Sequence, residues 1–142
     1  GSPIAGIVYA PTKDVFWYGA KGLGAFKMLD GNDPEAISVE EDINKPIKIV
    51  SSRSHPSPKL QSYLDRFPNH EIVSMGSSLK ICLVADGSAH IYPRLGPTSE
   101  WDIGAAQCIV EQAGGSVLEY TTKSRLRYNK ENILNPFFIV SA

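Results

Sequence analysis

The sequence is poor in the features that mark several large classes of protein. Its 142 residues include only two cysteines, Cys82 and Cys108, with neither a CxxC pair nor a zinc-like Cys/His spacing. Acidic and basic residues nearly cancel, so no basic excess points to nucleic acid or to an anionic membrane. The longest apolar runs, such as residues 137–140, are far shorter than the roughly 20 residues of a membrane-spanning helix. We therefore predict neither a nucleic-acid partner nor a transmembrane segment.

What is present is the composition of one globular domain. Hydrophobic residues make up 42% of the chain and charged residues 20%, and the length is that of a single domain. Both cysteines lie among apolar residues, which predicts buried free thiols in a reducing compartment such as the cytoplasm.

The first third of the chain has the pattern of an antiparallel β-meander. Three segments, residues 3–10, 15–19 and 25–29, are rich in β-branched, aromatic or other apolar residues and are separated by turn sequences. The polar stretch that follows contains one candidate edge strand near residues 37–39. We predict that this part of the fold ends at residue 46.

From residue 47 onwards, strands and helices alternate. Ser57 and Pro58 have the residue types of a helix N-cap and a first helical position, and Gly87 is a helix end signal. The predicted strands are residues 47–51, 71–75, 89–93, 116–120 and 137–141. One helix is predicted to begin at residue 57, and two others are predicted to span residues 77–86 and 99–113. The alternation predicts an α/β fold in which residues 47–142 form an α/β/α layered domain.

Two segments carry the groups expected of an anion site. Residues 76–80 (GSSLK) begin a helix, where serine hydroxyls, backbone N–H groups and Lys80 could hold a phosphate. The alternative is that Ser77 only caps the helix and Lys80 is solvated. Arg94 leaves a strand and could make bidentate phosphate contacts, or else only a surface salt bridge.

Two further residues are weaker candidates. Asp102 lies in the first turn of a helix, where the helix dipole alone favours a carboxylate, although magnesium also prefers carboxylate oxygens. No second acidic cluster accompanies Asp102, so it is one member of an incomplete site. His55 follows a strand and could face a substrate base or sugar, but a structural histidine is the alternative.

Several stretches together resemble the C-terminal part of the inositol monophosphatase superfamily, the lithium-sensitive, magnesium-dependent phosphomonoesterases. The signature is WDIGAAQCIVEQAGG at residues 101–115, although residues 103–106 read Ile-Gly-Ala-Ala where many members have an alanine-alanine-glycine order. Within the superfamily the chain is most similar to 3'(2'),5'-bisphosphate nucleotidases of the CysQ type. That similarity is carried by GIVYAP (6–11), SSRSH (51–55), GSSLK (76–80), YPRLGPTSEWD (92–102) and the ending LNPFFIVSA.

The resemblance implies a sugar-phosphatase-like layered fold and a reaction. These enzymes remove the 3'-phosphate of adenosine 3',5'-bisphosphate, giving AMP and phosphate, and so clear a by-product of sulfate assimilation. By residue match, Asp102 is the catalytic residue beside the scissile phosphate and a ligand of Mg²⁺. Ser77, Ser78, Lys80 and Arg94 hold the other phosphate, and His55 faces the adenosine. A peripheral association with the inner membrane is also compatible with the resemblance.

The resemblance also implies what this chain lacks. The other metal ligands of the family come from an upstream glutamate and an Asp-Pro-hydrophobic-Asp-Gly-Thr motif, and neither occurs here. We therefore expect residues 1–46 to be a remnant of an N-terminal sheet with an unpaired edge and an uncovered face. An N-terminal half would be needed to complete the site, and the chain alone would be inactive. An inositol or sugar monophosphatase, or a non-catalytic anion-binding module, is the alternative.

Overall fold

The computed structural model describes residues 1–52 and 56–142 and contains two β-sheets and three helices. The strands are β1 Ala5–Ala10, β2 Val15–Ala20, β3 Gly24–Leu29, β4 Glu35–Ala36, β5 Ile47–Ser51, β6 His70–Ser74, β7 Ile91–Arg94, β8 Ser116–Glu119 and β9 Phe138–Ser141. The helices are α1 Pro58–Leu64, α2 Leu79–Ala85 and α3 Glu100–Gln112. No helix in these two ranges is long and apolar enough to cross a membrane.

The first sheet is the predicted meander, with the strand order β1-β2-β3-β4 and antiparallel pairing throughout. Alternate residues of β2 point to opposite faces, so Val15, Trp17 and Gly19 are buried while the residues between them are partly exposed. The buried face of the sheet packs on α3. The two-residue β4 lies earlier than the predicted edge strand. The Ile37 N–H still donates to the Ala25 carbonyl oxygen of β3, whereas the Val39 N–H donates to the Ala113 carbonyl oxygen, and both side chains pack against the core.

The opposite face of this sheet is apolar and open. Tyr9 stacks on Phe16 with ring centroids 4.1 Å apart, and Tyr18 stacks on Phe26 at 5.5 Å. Ile7, paired with Tyr18, is 62% exposed. Among the described strands, β1 pairs only with β2, so its other edge is free. The expected free edge and open face are therefore present.

The second sheet has the order β6-β5-β7-β9-β8. The strand β5 runs parallel to β6 and β7, whereas β9 is antiparallel to both β7 and β8. Helices α2 and α3 contact each other and contribute to one core together with residues of both sheets. The predicted division at residue 46 stays a prediction, although a single core runs through both parts.

One close approach fixes the distance between the first sheet and α3. A Cβ atom on Gly6 of β1 would lie 2.2 Å from the backbone oxygen of Ala105 in α3. Only glycine fits there, because any side chain would collide with backbone rather than with a movable group. The missing side chain of Gly6 therefore lets β1 approach the helix that carries Asp102.

The helices begin close to their predicted starts. Ser57 caps α1, its side chain accepting a hydrogen bond from the Leu60 N–H at 3.2 Å. Helix α2 is shorter than expected, beginning at Leu79 rather than Ser77, because Ser77 has a left-handed backbone with φ of +58°. Strand β7 begins two residues later than expected, at Ile91.

Candidate functional site

A cavity of about 300 Å³ lies where β7 ends and where α2 and α3 begin. It brings together five of the six candidate residues from distant parts of the sequence. The sixth, His55, lies outside the described residues. The residues that line the cavity are Ser77, Ser78, Lys80, Ile81, Tyr92, Arg94, Thr98, Asp102 and Ile103.

Lys80 is a buried cation without an acidic partner. The residue is 6% exposed, and its Nζ lies 5.5 Å from the centroid of the Tyr92 ring. No carboxylate of the described chain lies within 4.0 Å of its Nζ. Burial, and secondarily the charge of Arg94, lower the pKa of Lys80 below its usual value. The alternative of a solvated lysine is therefore wrong.

Arg94 is only partly satisfied. One guanidinium nitrogen, Nη2, donates to the Pro97 carbonyl oxygen at 2.8 Å. Its Nε is buried and has no hydrogen-bond partner. The surface salt bridge considered as an alternative is absent from the described residues. Because buried donors in native proteins are almost always paired, the free Nε marks a place where a ligand can accept a hydrogen bond.

Ser77 and Ser78 present hydroxyls that stabilise no helix terminus. The cap position of α2 is Ser78, whose side chain makes no capping hydrogen bond, so the alternative of a Ser77 cap is wrong. Neither hydroxyl has a hydrogen bond to the rest of the described chain. The left-handed backbone of Ser77 is uncommon for a residue other than glycine and costs free energy. Strained backbone conformations of this kind are often found at functional sites.

Asp102 contributes the one carboxylate in the cavity. It occupies the third position of α3, and its Oδ2 accepts a hydrogen bond from the Ser99 N–H at 2.8 Å. This contact fixes the side chain as part of a capping box. The second oxygen, Oδ1, receives no hydrogen bond from the described chain. The dipole interpretation of Asp102 is thus correct without excluding a ligand role.

These residues do not make a magnesium site on their own. No group of three potential metal ligands occurs within residues 1–52 and 56–142. Magnesium prefers several oxygen ligands, whereas this cavity offers one carboxylate beside two cations. What the described residues bring together is two cationic side chains and two serine hydroxyls, with a single carboxylate among them.

A second cavity of about 190 Å³ adjoins the first. The two cavities share Lys80, Tyr92 and Arg94. Ser52 and Pro56, which flank the segment that contains His55, line the second cavity. The shared cations can therefore face two anionic groups of one ligand, or one anionic group and the remainder of the molecule that carries it.

Sequence reasoning missed Thr98 and Tyr92 as lining residues. Tyr92 is buried, with its ring edge-on to Phe138 at 6.2 Å, and supplies an apolar wall. Thr98 is four residues from both Arg94 and Asp102 in the sequence, and this short separation could have identified it as a lining residue. The buried Asn135 behind Thr98 gave no local signal, because it is 37 residues away along the chain.

Both cysteines and His90 are buried away from the first cavity. Both cysteines are buried free thiols, as expected, and burial raises the pKa of Cys82 to about 12. His90 is buried, and its Nδ1 accepts a hydrogen bond from the Lys48 N–H at 3.0 Å. These groups have the partners or the environment of core residues and contribute nothing to the cavity.

Comparisons with known proteins identify similar chains. The inositol monophosphatase family profile matches residues 1–137. The 3'(2'),5'-bisphosphate nucleotidase CysQ of Salmonella typhimurium is 41% identical over 145 residues, which cover 99% of this chain and 56% of that protein. The Escherichia coli K12 protein of the same name is 40% identical with the same coverage. The chain therefore spans little more than half the length of these relatives.

Solved structures of the same family are also similar to this chain. The crystal structure of CysQ from Bacteroides thetaiotaomicron, a bacterial member of the inositol monophosphatase family, matches with a TM-score of 0.88 and 37% identity. The match covers 99% of this chain and 58% of that one. An inositol monophosphatase from Anabaena matches with a TM-score of 0.76 at 24% identity, covering 99% and 57%, and supports the fold alone.

Proposed function

The chain belongs to the inositol monophosphatase family, and from this premise we propose that it is part of a 3'(2'),5'-bisphosphate nucleotidase. The proposed reaction is hydrolysis of the 3'-phosphate of adenosine 3',5'-bisphosphate to AMP and phosphate. CysQ relatives at about 40% identity over nearly the whole chain support this substrate. Because the chain spans little more than half of those relatives, we propose the activity for the longer protein.

The observation that carries the proposal is the pair of adjoining cavities that share two cations without an acidic partner among the described residues. A bisphosphate nucleotide has two anionic groups, of which only one reacts. Lys80 and Arg94 suit the phosphate that does not react, because they can neutralise it without attacking or being consumed. A monophosphate sugar would have no second anionic group to use this surface.

In this proposal each candidate residue has one task. Lys80 and Arg94 bind the 5'-phosphate, and the hydroxyls of Ser77 and Ser78 donate hydrogen bonds to its oxygens. Asp102 lies beside the scissile phosphate and supplies one carboxylate ligand to Mg²⁺. When bound, divalent ions in such sites activate water and offset the charge of the phosphoryl group. His55 faces the adenosine.

The other magnesium ligands would come from a part of the enzyme that this sequence does not contain. We propose that this part also covers the open aromatic face beside β1, which has the apolar character of an interior surface. We propose a cytoplasmic location, in keeping with the two free thiols.

Titration calorimetry with three ligands tests the proposal. We expect the 142-residue chain to bind adenosine 3',5'-bisphosphate and AMP, which both carry the adenosine and the 5'-phosphate, more tightly than inositol 1-phosphate. Arg94→Ala should weaken binding of the bisphosphate about tenfold or more, because a charge-assisted contact is lost. Lys21→Ala, which removes an exposed lysine of the β2–β3 turn, is the matched control and should change nothing.

Two outcomes would favour the alternatives. Equal weakening of bisphosphate and inositol phosphate binding by Arg94→Ala would favour an inositol or sugar monophosphatase. The incomplete metal ligand set of the described residues also leaves a non-catalytic anion-binding module as a second candidate. We expect no phosphate release by this chain alone with Mg²⁺. A full-length protein that binds the bisphosphate yet also fails to release phosphate would favour the binding module.

A further inference from the structure

A buried amide lies directly behind the wall of the first cavity. Asn135 is 8% exposed, and its Nδ2 donates a hydrogen bond to Oγ1 of Thr98 at 3.1 Å. Its backbone N–H also donates to the Thr98 carbonyl oxygen at 2.9 Å. Thr98 is thus held at both its backbone and its side chain by one residue that does not line the cavity.

The segment around Asn135 supports the whole loop between β7 and α3. The Glu100 N–H donates to the Ile133 carbonyl oxygen at 3.0 Å, and Ser99 forms an isolated antiparallel bridge with Leu134. These contacts continue the pairing that Asn135 makes with Thr98. The loop that connects Arg94 to Asp102 is therefore held by the chain before its C-terminal strand, in addition to the contacts that Arg94 and Asp102 make with it.

The geometry of this pair determines where the hydroxyl hydrogen of Thr98 can go. A threonine hydroxyl has one hydrogen to donate and two lone pairs. With the Asn135 amide oriented so that Nδ2 donates to Thr98, one lone pair of the hydroxyl is used and its hydrogen has no acceptor among the described residues. The cationic neighbours in the cavity, Lys80 and Arg94, are donors only. An anionic oxygen that enters the cavity is the acceptor that fits.

The amide of Asn135 is itself incompletely satisfied. Its Oδ1 is buried without a hydrogen-bond partner. An unpaired buried oxygen costs free energy, which an apolar residue of similar size would avoid. The amide is therefore poorly explained as packing, and its one side-chain contact is the bond to Thr98.

From these contacts we propose that Thr98 binds a substrate phosphate oxygen through its hydroxyl and that Asn135 is the positioning residue that orients it. The proposal rests on the function proposed above and adds one ligand-binding residue and its support. Thr98 adds a neutral donor to a surface that otherwise relies on two cations and two serines.

Four variants of the chain test the proposal, with inorganic phosphate and adenosine 3',5'-bisphosphate as probes. Thr98→Val keeps the shape of the side chain but removes the hydroxyl, and it should weaken binding about tenfold. Thr98→Ser keeps the hydroxyl and should restore most of the affinity. Asn135→Ala should weaken binding in the presence of Thr98 and have no further effect in the Thr98→Val background. Thermal unfolding of each variant shows that it is folded.

A purely structural role would give different results. If Thr98→Val bound phosphate as tightly as the unmodified chain, or if Thr98→Ser were as weak as Thr98→Val, the hydroxyl would not be a ligand. If Asn135→Ala weakened binding equally in both backgrounds, its orienting role would be wrong. Failure of the unmodified chain to bind either probe would overturn this inference, whereas the proposed nucleotidase activity would be overturned only by a full-length protein that releases no phosphate from adenosine 3',5'-bisphosphate. Thr121→Val, at an exposed threonine after β8, is the control.

Discussion

The two ends of helix α2 hold buried charges in opposite ways. Near its start, Lys80 has no acidic partner and faces the open cavity. Just after its end, the side chain of Asp86 is 2% exposed and fully paired. Its Oδ2 accepts from Lys27 Nζ at 2.8 Å and from Trp17 Nε1 at 3.0 Å, and its Oδ1 accepts from the Ser88 N–H at 3.0 Å.

The pairing of the buried charge distinguishes a candidate binding site from a structural contact between elements. The Asp86 cluster connects β2 and β3 of the first sheet to α2, and every polar atom of the carboxylate has a partner in the chain. The Lys80 end keeps charges and donors without partners, which destabilises the fold unless a ligand supplies them. Burial is similar at the two ends, so the presence or absence of a partner identifies the site.

The largest expected effect is at the paired end. Asp86→Ala leaves Lys27 and Trp17 without their acceptor, and we expect a loss of about 3 kcal/mol in the free energy of unfolding. Urea denaturation measures this loss. Asp65→Ala is the control, because Asp65 is exposed and its side chain accepts one hydrogen bond, from Gln61 Nε2, so its loss should cost well under 1 kcal/mol. Phosphate affinity lost in folded Asp86→Ala protein would break the distinction between the ends.

An intermediate effect is expected at the unpaired end. Lys80→Met should weaken binding of adenosine 3',5'-bisphosphate by about 2 kcal/mol, roughly 30-fold, because a charge-assisted contact is lost. The same variant should gain up to about 1 kcal/mol in stability, since the uncharged side chain has no desolvation cost in this place. Calorimetry and urea denaturation measure the two changes separately.

The stability gain has a defined pH dependence. Since the pKa of Lys80 is lower in the folded protein than in the unfolded chain, the cost of its charge is fully present below the lowered pKa. The cost falls as pH rises from the lowered pKa towards the ordinary lysine pKa, because the folded protein then holds the neutral amine. The advantage of Lys80→Met should therefore shrink at alkaline pH. A variant less stable than the unmodified chain at neutral pH would contradict the comparison.

The smallest effect is expected at Ser77. Ser77→Gly relaxes the left-handed backbone and should stabilise the fold by about 0.5 kcal/mol, after allowance for the greater freedom of glycine in the unfolded chain. It also removes a hydroxyl, so phosphate affinity should fall a few-fold. Asn129→Gly, at another left-handed position, removes nothing from the cavity and should leave affinity unchanged. Parallel changes in both variants would mean that the Ser77 hydroxyl is not used.

Local patterns predicted most of the fold. Strand β5 and the Ser57 cap of α1 occur at the predicted residues, because alternation and capping depend on neighbours in sequence. The start of α2 could not be predicted in this way. Ser77 has a positive φ, and serine carries no sequence signal for that conformation.

The candidate site was predicted unevenly for the same reason. Lys80, Arg94 and Asp102 have charged groups near the ends of elements, so their chemistry was visible in the sequence. Whether they had partners was not visible, because pairing depends on contacts between distant segments. Asn135 was missed entirely, since its single side-chain contact joins residues that only the folded chain brings together.

The close contact between Gly6 and Ala105 has a consequence for how the signature of this family is used. Gly6 meets the steric requirement of this contact, because its missing side chain lets the backbone of β1 lie against the backbone of α3. In the proposed function Asp102 meets a chemical requirement, whereas Gly6 meets a steric one. A chain could lose the chemistry and still keep the steric half. Recognising the pattern in a new sequence therefore reports on architecture first and on phosphate hydrolysis only through the carboxylate.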